Sequence, residues 1–148
     1  MWHIIAFGIW LIACCALAAA IGGRAERITA AMFAVAFTAT AAVNWTPIHR
    51  LYAVVHCDVW LIDGLLLAGM YWLAIRSTRF WPMWIVAIHL LAALAHPLRV
   101  IDPKMMFEGY YAIINFAGWP MVGIVGIASI RHHARVRRFG SDPSFATS

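Results

Sequence analysis

Apolar runs close to the ~20 residues needed to cross a hydrocarbon core fill most of this chain, and that length constrains its fold more than any other feature. In lipid every backbone N–H and C=O must find its partner inside the protein, so such runs fold as helices. Two of the longest are interrupted by ionisable residues, Asp63 and His96. A charged side chain facing lipid is costly, which directs both residues toward a protein interior.

The runs predict an all-α integral membrane bundle of five transmembrane helices, four if the N-terminal segment is removed. The predicted helices cover about 2–21, 28–45, 52–75, 82–100 and 110–130 of a bundle spanning 1–131. The first stops at Gly22 and Gly23 before the charged turn Arg24, Glu26, Arg27, and the second ends at Thr46 and Pro47. Residues 132–148 form a basic and then polar cytoplasmic tail, with Gly140 and Pro143 as breakers. At 64% hydrophobic and 11% charged residues, the chain lacks the polar groups needed to cover a soluble surface.

The N-terminal segment admits three readings. Leu11, Ile12, Ala13 and Cys14 match a lipobox, and Ala18 and Ala20 resemble a signal-peptidase site, but neither follows a basic residue. Retaining the helix, with the N-terminus periplasmic, puts Arg24, Arg27, Arg76, Arg79, Arg131, Arg135, Arg137 and Arg138 in the cytoplasm. Only Arg50, Arg99 and Lys104 are then outside, so an uncleaved first helix and a bacterial inner-membrane location are expected. Trp72, Phe80, Trp81 and Trp84 mark the inner interface, and Trp2, Trp45, Tyr52, Trp60, Tyr110 and Tyr111 the outer. Cys14, Cys15 and Cys57 form no disulfide framework and read as inert buried thiols.

Counting residues from the inner helix ends at about 1.5 Å each puts Asp63 and His96 at nearly one depth. Asn115, Thr40 and Asn44 fall in or near the same layer, which predicts an interior polar cluster over four helices. Its structural reading is fixed helix register, and its functional reading is a proton relay. His89 and His96, candidate cofactor ligands, share one helix face but stand roughly 10 Å apart along the axis, too far to hold one metal. Haem b would need His56 opposite His96 at a matched depth; a chlorophyll-type pigment would need His96 alone, with Ala92 leaving room. The leading expectation is no cofactor. Pro97 predicts a kink beside the layer, and Asp58 with Arg99 predicts an outer ion pair.

Ala30, Ala34, Thr38 and Ala42 recur every four residues and make a helix-packing face; Gly118, Gly123 and Gly126 make a second close-packing region. Arg131, Arg135, Arg137 and Arg138 are expected to contact anionic membrane lipids. His132 and His133 are adjacent and poorly arranged for one metal. The basic excess lies in loops and tail, so no nucleic-acid partner is expected. HExxH, GxSxG, phosphate-loop and CxxCH patterns are absent.

At RSTRFWP, HPLRVIDP and RRFGSDPS the chain resembles a group of small polytopic membrane proteins of alphaproteobacteria, from the third helix to the tail. The resemblance implies a bacterial source and adds no catalytic residue. In that group glutamine commonly stands where this chain has His89, whereas a histidine matches His96, so no ligand role carries over to His89. The sequence thus predicts a non-catalytic accessory or assembly subunit of a larger membrane complex. A homo-oligomer is the other packing outcome, and a small cofactor-binding or proton-relay protein centred on His96 and Asp63 is the alternative function.

Overall fold

The computed structural model describes residues 2–45, 57–101, 107–142 and 145, without the side chains of 4, 44–45, 57–58, 96–101 and 107–115. The described residues form five α-helices, with no strand among them: α1 Trp2–Ile21, α2 Arg24–Trp45, α3 Cys57–Arg76, α4 Trp81–Ile101 and α5 Phe107–Phe139. Each helix packs on its neighbours in chain order, and α5 returns to α1, so the helices close into a ring. A further contact joins α2 to α5 inside it.

α2 and α5 extend several residues beyond the sequence expectation, α4 and the end of α3 lie within one residue of it, and residues 52–56 of the third expected helix lie outside the described residues. α2 starts at Arg24 because the Arg27 N–H bonds the Gly23 carbonyl at 3.0 Å, which draws the charged turn into its first helical turn. Glu26 there carries the charge sign that suits a helix N-terminus. α5 continues through the basic run to Phe139, since nothing before Gly140 breaks it. Gly140 ends it in the left-handed conformation (φ +77°), its N–H bonded to the Val136 carbonyl at 2.9 Å. Pro97 and Pro120 are both contained within helices.

Close packing of α1 on α5 follows from small residues. A Cβ on Gly118 would stand 3.0 Å from the Phe7 ring, and one on Gly126 would stand 3.2 Å from Cys14 Sγ. Trp10 faces Gly123 between them, so the two helices run parallel, and Gly118, Gly123 and Gly126 are all packed within the chain. Leu11, Cys14, Ala18, Ala30, Phe33, Met70, Ile85, Met121, Val122 and Val125 form the core.

Among the described residues, much of the exterior along the helices is apolar. Ile5, Ile9 and Ile12 on α1, Leu61 and Leu65 on α3, Leu91 and Leu94 on α4, and Ile127 and Ile130 on α5 all face outward, while Glu26, Thr29, His89 and Ser129 are buried. An apolar surface this broad is unfavourable in water and suits a lipid solvent. By length and apolarity, Arg24–Val43 and Val59–Arg76 are able to cross a membrane, and shorter apolar helical stretches occupy Ile5–Ile21 and Trp81–Ala95.

Candidate functional site

Parallel packing of α1 and α5 brings the α1–α2 turn, the α3–α4 turn and the C-terminal end of α5 to one end of the bundle. Gly22 and Gly23 make the first turn possible. A Cβ at Gly22 would stand 2.4 Å from the Ala18 carbonyl oxygen, and one at Gly23 would stand 2.7 Å from Cε1 of His132 and 2.9 Å from Oε2 of Glu26. The missing side chain of Gly23 thus lets a carboxyl from α2 and an imidazole from α5 approach the same point.

Glu26 is completely buried, and neither carboxyl oxygen has a hydrogen-bond partner among the described residues. The buried hydroxyls of Thr29 and Ser129 are engaged within their own helices: Thr29 donates to the Ala25 carbonyl at 2.9 Å and Ser129 to the Val125 carbonyl at 2.8 Å. The ring of Trp81 is half-buried, and its N–H is likewise buried without a hydrogen-bond partner among the described residues.

His132 continues the cluster outward by donating from Nδ1 to Asp142 Oδ2 at 2.8 Å. The same oxygen accepts from Nε of Arg135 at 2.9 Å, and Oδ1 pairs with the guanidinium of Arg79 from the α3–α4 turn. Burial alone would raise the Asp142 pKa. The hydrogen bonds from Arg79, Arg135 and His132, with the Arg79 charge, outweigh it and hold the carboxyl below its ordinary value. Beyond Asp142, Phe145 pairs with Ser77 in a single antiparallel bridge, so the tail is fastened to the α3–α4 turn at two places. Chemically, this end presents a sequestered carboxyl, an imidazole beside it and an ionised carboxylate on the far side of that imidazole.

The residues singled out from sequence have mixed fates. Asp63 is joined to His89, whose Nε2 donates to the Asp63 backbone carbonyl at 3.0 Å, and His89 is buried. This contact between α3 and α4 was not anticipated. Thr40 and Asp63 are half-buried. The side chains of His96, Asn115, Asn44, Asp58 and Arg99 lie outside the described residues, as does His56. On the α2 packing face Ala30 is buried, while Ala34, Thr38 and Ala42 are exposed. Beside it a groove of about 300 Å³ runs between α1 and α2, lined by Cys15, Ala19, Arg27, Ala30, Ala31 and Ala34. Arg131, Arg137 and Arg138 are exposed, but Arg135 is half-buried on Asp142.

Sequence reasoning missed Glu26 and Asp142. Glu26 had a usable signal, a lone carboxylate among Gly22, Gly23, Ala25, Thr29 and Ala30, where small residues announce close helix approach. Asp142 had none, since its partners come from 63 and 7 to 10 residues away. No group of three or more His, Cys, Asp or Glu able to hold a metal ion occurs among the described residues. No protein-family model, curated protein or solved structure matches this chain, so its functional reading rests on the α1–α2 groove and on the polar cluster at this end of the bundle.

Proposed function

We propose that the chain is a five-span, non-catalytic inner-membrane protein that packs as an accessory or assembly subunit against a larger membrane protein. The observation that carries this reading is the α2 stripe. Ala34, Thr38 and Ala42 remain on the exterior next to the α1–α2 groove, whereas Gly118, Gly123 and Gly126 are used up against α1. In lipid, helix association depends on close backbone approach, and an exposed small-residue face fits an apolar helix of a partner. The gathering of basic residues from both turns and α5 at one end supports a cytoplasmic assignment for that end.

The test is gentle extraction of tagged protein from native membranes and identification of what elutes with it. A stoichiometric set of other polypeptides, lost in Ala31→Leu and Ala34→Leu variants that keep their fold, is the expected result. A monomer without partners overturns the reading, and a homo-oligomer sensitive to the same substitutions redirects it to self-assembly.

A second reading, proton relay, moves from the Asp63 and His96 layer to Glu26. The order Glu26, His132, Asp142 is favoured by the burial of Glu26 and by the His132–Asp142 bond. Proton flux in liposomes that Glu26→Gln abolishes would establish it, and flux-free vesicles would remove it. A haem or pigment on His89 gains nothing from the geometry, because its Nε2 is held by a backbone carbonyl.

A further inference from the structure

Three hydrogen-bond-donating side chains from two separate segments, the guanidinium groups of Arg79 and Arg135 and the imidazole of His132, converge on Asp142. His132 and Arg135 stand three residues apart on one face of α5. Arg79 belongs to a turn whose backbone is bonded internally, its N–H donating to Ser77 Oγ at 3.0 Å and the Ser77 N–H donating to the Leu73 carbonyl at 2.8 Å, and Ser77 also pairs with Phe145. Asp142 arrives differently, on the short segment after Gly140 where the helix has ended. A cradle of donors on a helix and a turn therefore meets a carboxylate carried by the segment beyond the helix.

The cradle has the chemistry of an oxyanion site. Its donors are a guanidinium on Oδ1 and an imidazole and a second guanidinium on Oδ2, with side-chain exposures of 16% for Arg79, 14% for His132 and 31% for Arg135. Charge-assisted bonds from arginine suit phosphate as well as carboxylate, and phosphate offers more acceptor oxygens to share among three donors. Arg131, Arg137 and Arg138 add exposed positive charge on the same helix, which draws anions toward this end. Glu26 is the neighbouring carboxyl, close to His132 at Gly23 and completely buried.

We infer that Arg79, His132 and Arg135 form a phosphate-binding site that Asp142 occupies in cis, and that the phosphate of an anionic phospholipid headgroup takes the site when the tail lifts. The tail is then a built-in competitor. Its Phe145–Ser77 bridge sets how readily Asp142 leaves.

Full-length protein in mild detergent is titrated with phosphatidylglycerol, with phosphatidylcholine and, separately, with inorganic phosphate, and bound species are read by native mass spectrometry. Asp142→Asn is expected to bind phosphatidylglycerol at least about tenfold more tightly than the unaltered chain, as removal of a charged competitor requires. Phosphatidylcholine binding should not change, and the gain should vanish when Arg79→Gln and Arg135→Gln are added. Displacement of the lipid by inorganic phosphate identifies free phosphate as an equal source; failure to displace it identifies the headgroup. No gain for either anion, or a gain that survives loss of both arginines, overturns the site. Should Asp142→Asn not fold, amide exchange in the unaltered chain decides. Exchange at Gly140 to Asp142 must rise in phosphatidylglycerol nanodiscs relative to phosphatidylcholine ones, and equal exchange overturns the inference. The lipid arm rests on the membrane reading above, whereas the inorganic-phosphate arm does not, so the two fail separately.

Discussion

His132 Nδ1 and Asp142 Oδ2 stand 2.8 Å apart across the glycine that ends α5. This bond ties the tail to the helix it leaves, and Arg79 extends the tie to the α3–α4 turn. Asp142 and Phe145 are thus tied to the bundle.

Its strength should depend on pH with a definite sign. The folded Asp142 carboxyl lies below its ordinary value of 3.8. Its contribution is therefore fully present above that value and is lost as pH falls through the lower, folded value. Unfolding of the unaltered chain and of Asp142→Asn, followed by tryptophan fluorescence in detergent, should differ by about 2 kcal/mol near neutral pH, the scale of charged hydrogen bonds. The difference should shrink toward zero in strong acid. A difference that stays constant down to pH ~2 would contradict the assignment.

Glycine substitutions should separate by what each new methyl meets. Gly22→Ala drives Cβ to 2.4 Å from a backbone carbonyl, which cannot yield, and should be the most damaging. Gly23→Ala meets His132 and Glu26 side chains, which shift at a cost of about 1–3 kcal/mol and loosen the Asp142 bond. Gly64→Ala meets nothing within 4 Å, and on α3 it should stabilise by about 0.5–1 kcal/mol. The check is the rank order of unfolding midpoints. Gly22→Ala as stable as Gly64→Ala would refute the packing of this turn.

How much of this was legible in the sequence follows from what each feature needs. Helix number needs only local apolar runs and breakers, so α1 is read to the residue at Trp2 and Ile21. Helix ends such as Arg24 and Phe139 depend on capping, and the Gly23 carbonyl that starts α2 is invisible in composition. The Asp63 level could be counted from the inner end, but its observed bond to His89 depends on how α3 and α4 slide and on the direction of an imidazole, neither of which a residue count contains. Asp142 is the extreme case, because the α3–α4 turn and the end of α5 must be brought together before its partners exist.

The His89 contact gives a test that distinguishes packing from ligation. Its Nε2–H is spent on the Asp63 carbonyl, so any side chain with an N–H donor of similar reach should serve. His89→Gln should leave stability within about 0.5 kcal/mol and His89→Leu should lose about 1 kcal/mol, the net worth of one neutral hydrogen bond. A visible absorption band lost in His89→Gln would instead make the histidine a ligand.

Glu26 gives the least intuitive expectation. A carboxyl buried without a hydrogen-bond partner among the described residues costs folding free energy whether it carries a charge or an unmade hydrogen bond. Replacing it by an apolar side chain of similar length removes that cost and keeps the volume filled. Glu26→Met should therefore raise stability by about 1–3 kcal/mol, read as a higher midpoint in thermal or denaturant unfolding. The neighbouring His132 supplies the control: its bond to Asp142 does not pass through Glu26, so Glu26→Met and Asp142→Asn should have opposite signs. If Glu26→Met lowers stability instead, the carboxyl has a partner in solution, and the exchange behaviour of the His132 ring would show whether the imidazole provides it. A gain in stability accompanied by a loss of proton flux would mark Glu26 as a residue kept for function at the expense of the fold.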